Sequence, residues 1–116
     1  GGEGGGAAVP ENYLELADVL TWQAETQMEA ELYDEALELF KEALDLLLKH
    51  LPDKVNASVA NIRYRTAVCR ARNEKMRSAL SAVTEAVRVF DLLKDKSTQA
   101  QNARKMKKHL STKYDR

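Results

Sequence analysis

The sequence predicts an all-α chain, and three observations carry that prediction. It is rich in Ala, Leu, Glu and Lys, with 31% charged residues and only two prolines, a composition that favours helix. Its apolar residues recur at helical spacing, most clearly in Leu37, Phe40, Leu44 and Leu47, and no stretch alternates as a strand does. A two-helix pattern also occurs twice, 43 residues apart, as described below. At 116 residues the chain is long enough for one modest domain, placed over 10–110.

Each element follows from local signals. Residues 1–9, GGEGGGAAV, read as a flexible lead, because clustered glycines lose too much backbone entropy to hold one shape. Pro10 and Glu11 suit a first helical turn. The first helix runs from about Glu11 to Glu29, with Tyr13, Leu16, Leu20, Ala24 and Met28 near one face and Ala17 and Trp22 widening it. Trp22 reads first as packing at a helix seam and second as an exposed anchor for a partner. A short turn without glycine sends the chain back antiparallel. The second helix spans Tyr33 or Asp34 to His50, with Asp34 and Glu35 at its start and Lys49 and His50 at its end, as the helix dipole favours. Asp53 or Asn56 can cap a third helix reaching about Arg72. The fourth covers about Lys75 to Lys94, on a stripe of Met76, Leu80, Val83, Val87 and Phe90, with Leu92 and Leu93 extending its apolar end. Ser97 can cap a fifth, over about 98–110, with a thin face of Ala103, Met106 and Leu110 and Ala100 beside it; the last residues are expected to fray.

Laying the second helix on the fourth pairs Tyr33 with Met76, Ala36 with Ala79, Leu37 with Leu80, Phe40 with Val83, Ala43 with Ala86, Leu44 with Val87 and Leu47 with Phe90. Ala24 falls on Ala67. The unit is thus a helix pair, repeated over about 11–52 and 53–95, with a terminal helix over about 98–110. A pair buries one face internally and needs a neighbour for the other.

Tyr33, Ala36, Phe40 and Ala43, with Leu20 and Ala24 before them, resemble the tetratricopeptide repeat (TPR). The resemblance covers about residues 14–94. It implies antiparallel helix pairs in a right-handed stack closed by a capping helix. The second unit offers Met76, Ala79, Val83 and Ala86 at the same landmarks, and Glu31 and Glu74 stand where the family often has glycine. A 43-residue period exceeds the usual 34 and is similar to the long units of kinesin light chain. A second resemblance, to the three-helix MIT domains of trafficking complexes, rests on the Tyr-x-x-Ala-Leu-x-x-Phe-x-x-Ala-Leu pattern and would cover residues 14–72, leaving two helices extra.

The formal net charge is zero, yet residues 1–58 hold 13 acidic and 3 basic residues and residues 59–116 hold 5 and 15. Such separation either pairs acidic helices with basic ones inside the domain or leaves a surface that orients partners. No run of 18 apolar residues is present, and the first residues have no basic segment followed by an apolar one. The single Cys69 cannot form an internal disulfide and reads as a small buried residue of a reducing compartment, cytoplasmic or nuclear.

Chemistry finds little support. His50 and His109 are distant in sequence, no Cys, His and carboxylate set has metal-ligand spacing, and no glycine-rich loop follows a strand. The chain reads as no enzyme, with no cofactor. The carboxylates of Asp34, Glu38, Glu42 and Asp45 form a solvated face, offset by Glu38 with Lys41 and Asp45 with Lys49. The basic run from Arg104 to His109 lacks the aromatic interleaving of a single-strand platform, so it reads as a solvated capping helix; nucleic acid and membrane surfaces are disfavoured as partners.

What remains is protein recognition. The TPR resemblance implies an extended peptide in a concave groove. The lysine and asparagine with which some members grip a C-terminal carboxylate are absent: Thr21 and Glu25 occupy the places in the first unit, Tyr64 and Val68 in the second. Asp18, Glu25 and Glu29 would make the first-unit groove acidic and selective for a basic or mixed-charge segment. The expected partner-binding residues are Asp18, Trp22, Glu25 and Met28 on the first helix and Tyr64, Val68 and Arg72 on the third. The partner is a peptide, a helix or another subunit; the alternatives are self-association through the acidic and basic halves, as a fragment of a longer helical assembly, and an MIT-type trafficking adaptor.

Overall fold

The computed structural model describes residues 12–114. Five helices follow in order: α1 (Tyr13–Glu29), α2 (Tyr33–His50), α3 (Ala57–Arg72), α4 (Met76–Leu92) and α5 (Thr98–Tyr114). Each packs chiefly on its neighbours in sequence: α1 on α2, α2 on α3, α3 on α4 and α4 on α5. The architecture is a stack of antiparallel helix pairs closed by α5. The flexible lead and the first turn at Pro10 and Glu11 lie outside the described residues.

The caps explain where the helices begin and end. At α3 it is Asn56 that caps, its Oδ1 accepting from the Ser58 amide at 2.7 Å, while Asp53 accepts from Val55 in the loop before it. At α5 the Ser97 hydroxyl accepts from the Ala100 amide at 3.2 Å. Three helices end alike. After α1 the Leu32 amide donates to the Gln27 carbonyl and Glu31 to Met28; after α3, Lys75 donates to Arg70 and Glu74 to Ala71; after α4, Asp95 donates to Phe90 and Lys94 to Asp91. This is the Schellman closure, whose penultimate residue must enter the left-handed region. Glu31, Glu74 and Lys94 do so, with φ of 63°, 63° and 53°.

Most of the repeated positions are buried in both copies. Ala17 and Ala60, Ala24 and Ala67, Ala36 and Ala79, Phe40 and Val83, Ala43 and Ala86, and Leu47 and Phe90 all lie in the core. Alanines at 0% exposure, Ala36 and Ala43 among them, let the helix backbones approach where Phe40 and Phe90 fill the space between. One core cluster joins α1, α2 and the near side of α3; the other joins the far side of α3 with α4 and α5. At the outer end of the first pair, the Tyr13 and His50 rings meet with centroids 5.3 Å apart.

Several expectations need correction. α5 continues past Leu110 to Tyr114, because Arg77 donates to the Tyr114 carbonyl at 2.7 Å and Tyr114 packs against the second cluster. α4 and α5 are not additions to a three-helix domain, since α3 packs on α4 about as extensively as α1 on α2. Leu16, expected in the core, and Leu92 and Leu93 are exposed. On α2 Lys41 pairs with Asp45 at 2.9 Å rather than Asp45 with Lys49, and Glu38 adds its attraction to Lys41 as expected.

Candidate functional site

α1 and α3 line two sides of a cleft of about 480 Å³. Leu14, Asp18, Thr21, Trp22 and Glu25 line it from α1, and Ser58, Asn61, Ile62 and Arg65 from α3, with Leu47 at its floor. These residues face one another because they occupy the helix flank next to each buried stripe, three and four residues apart.

The charge pattern is asymmetric by helix. α1 carries Glu15, Asp18, Glu25 and Glu29 and no basic residue; α3 carries Arg63, Arg65, Arg70 and Arg72 and no acidic one. Glu25 pairs with Arg65, and Glu29 with Arg72 at 3.0 Å. Part of the separation seen along the sequence is therefore satisfied within one molecule, across the α1–α3 seam. Burial pushes the Arg65 guanidinium below its ordinary value. Asp18 makes no ion pair among the described residues.

The structure brings Asp18, Trp22 and Glu25 together in this cleft, and Arg72 to its end through Glu29. It does not bring the other three. Met28 is a core residue with 7% exposure. Tyr64 and Val68 are half-buried, packed against different core clusters. Trp22 is not the seam residue first expected: it is 66% exposed at the cleft rim. The cleft is also less acidic than expected, since Arg65 projects into it. Arg65 and Asn61 were not anticipated. The available signal was the absence of any acid on the third helix opposite a first helix with no base.

A second concavity of about 710 Å³ lies on the other side of α3, where Arg63, Thr66 and Arg70 face Ser81, Thr84 and Glu85. Its Glu85 carboxyl is held below the usual range by the hydrogen-bonded Arg88 guanidinium. In the basic run of α5, Arg104 is engaged internally, donating to Asp91 at 2.8 Å and to the Asp95 carbonyl at 2.7 Å. Among the described residues no group of three or more His, Cys, Asp or Glu could hold a metal ion, and no helix is long and apolar enough to cross a membrane. Cys69 is buried, its thiol pushed up by desolvation, with Sγ 3.8 Å from the Tyr33 carbonyl.

With this geometry in view, comparison with known proteins is informative for the first helix pair. Residues 17–54 match the family model described as SHNi-TPR. The SHNi-TPR match takes in most of α1, all of α2 and the start of the following loop, and so supports a TPR-like helix pair in the first unit. No curated protein matches the chain, and no solved structure does.

Proposed function

We propose that this chain is a non-enzymatic interaction module whose α1–α3 cleft takes an extended peptide of basic or mixed charge from another protein. The observation that carries the reading is Trp22, 66% exposed at the rim of a cleft that also holds Leu14 and Asp18, which makes no ion pair among the described residues. A large aromatic beside a carboxylate in a concave surface is the arrangement that anchors a peptide and orients its charge. Glu25 and Arg65 then offer one acceptor and one donor group along its path. The TPR-like first unit supports a recognition role in general terms. The division into units over about 11–52 and 53–95, and the likeness to kinesin light chain's long repeats, belong to the same reading and rest on the 43-residue offset. A cytoplasmic or nuclear setting fits the unpaired, buried Cys69. Self-association of acidic on basic halves is less favoured, because Arg65 and Arg72 already answer acids of the same molecule.

The test is capture from cell extract at about 100 mM and about 500 mM salt, where screening lengths differ. Trp22→Ala and Asp18→Lys are the variants of choice. Neither side chain holds an ion pair among the described residues, whereas Glu25→Lys would also set two cations against each other at Arg65. A discrete protein lost by both variants, with helicity unchanged, supports the cleft; retention by both overturns it.

A further inference from the structure

We propose that the outward face of α1, centred on Leu16 and Val19, is a docking socket for an amphipathic, basic-flanked helix of a partner protein. This face is separate from the α1–α3 cleft.

The internal repeat identifies it. On α3, Val59, Ile62 and Cys69 belong to the cluster shared with α1 and α2, at 1%, 4% and 0% exposure. On α5, 41 residues later, Ala100, Ala103 and Leu110 belong to the cluster shared with α4, at 0%, 0% and 4%. These faces are covered by the second helix of the preceding pair. The 43-residue offset carries Val59, Ile62 and Cys69 back to Leu16, Val19 and Thr26 on α1. Leu16 is 42% and Val19 50% exposed. The two large apolar groups are thus retained at positions that are buried on α3, but nothing among the described residues covers them. The opposite end of the stack is finished differently: α5 presents Gln101, Asn102, Lys105, Lys108 and His109 to solvent, the polar outer face of a terminal helix.

The covering helices also define the occupant. α2 offers Tyr33, Leu37 and Leu44 to the first cluster, and α4 offers Met76 and Leu80 to the second, with Val87 within it. Both are large apolar stripes at i, i+4 and i+11. Charge then selects the flanks. α1 has no basic residue, and Glu15, one turn before Val19 on the same flank, makes no ion pair among the described residues, so a helix flanked by Lys or Arg is complementary. A second copy fits poorly. Its α1 would bring the same acids face to face, and the solvent face of its α5 offers no large apolar group.

The test uses the intact chain and two synthetic peptides. The first is residues 76–93 with E85K and D91K, an apolar stripe on a basic helix. The second is residues 33–50 unchanged, the same kind of stripe on an acidic helix. Methyl NMR should show shifts at Leu16 and Val19 on adding the first peptide, with the second bound several-fold more weakly. Val19→Asp in the chain should weaken binding at least about tenfold with helicity unchanged, and Lys105→Glu on α5 should leave it as it was. No shift at Leu16 and Val19 up to millimolar peptide, or equal binding by the Val19→Asp chain, overturns the socket. Sedimentation showing a dimer that Val19→Asp dissolves would overturn the partner helix in favour of a second copy.

Discussion

Glu31 and Glu74 stand 43 residues apart and hold the same left-handed backbone, with φ of 63° at each. Both are exposed, so neither side chain compensates the steric cost of that conformation through burial. A non-glycine residue there costs about 1–2 kcal/mol relative to its preferred regions, and glycine returns part of that through unfolded-state entropy. Glu31→Gly and Glu74→Gly should each stabilise the chain, by about 0.5–1 kcal/mol on this balance. Thermal unfolding of each variant checks it, and a lowered midpoint in either would contradict the closure geometry.

Phe40 and Val83 are equivalent core positions, each at 0% exposure, but Phe40 fills more volume. Phe40→Ala should cost about 3–5 kcal/mol, the range for a buried aromatic truncated to alanine. Val83→Ala should cost clearly less. Urea denaturation with unchanged slope measures both.

The two ion pairs across the α1–α3 seam should differ in strength. Glu25 and Arg65 side chains are each 30% exposed, whereas Arg72 and Glu29 are 46% and 69% exposed. Double-mutant cycles should give a larger coupling for the first pair and at most about 1 kcal/mol for the second. Raising salt should shrink the second coupling more.

Asp95 precedes α5, and the Ser97 amide that donates to its carboxylate at 2.8 Å holds the carboxyl below the usual aspartate range, with Arg104 adding to the effect. A depressed folded-state value contributes stability above the unfolded value, and that contribution is lost as pH falls through the depressed one. Asp95→Ala should therefore be less stable at neutral pH and show a shallower loss on acidification. Stability curves from neutral to strongly acidic pH would reveal the difference in slope.

The fold was legible because its strongest constraint repeats. Ala36, Phe40, Ala43 and Leu47 form one stripe and their equivalents another, so a single offset exposes both pairs. Asn56 and Ser97 were legible as caps for the same local reason. The cleft was less so. Helical periodicity places a residue on a face but does not say whether a neighbour covers that face. Met28 and Leu16 look alike in sequence, yet one is enclosed by α2 and the other meets solvent. Trp22 was misread first as a seam residue because its hydrophobicity says nothing about which helix would receive it. Arg65 was overlooked because a surface arginine has no local signature. Its role appears only when α3 lies beside α1 and Glu25 comes within reach.

Packing concentrated between consecutive helices has a consequence for how the molecule comes apart. Each helix answers mainly to the one before and the one after, so stability is close to a sum of seams. The last seam is built on α5's side from two alanines and Leu110, with Met106 and Tyr114 half-enclosed, and among the described residues α5 has no helix on its far side. Fluctuations should peel α5 away while the Phe40 and Phe90 layers stay closed, so amide exchange would run in graded fashion along the stack. The chain behaves less like a single switch than like a row of clasps released in order, and an event at one end need not be felt at the other.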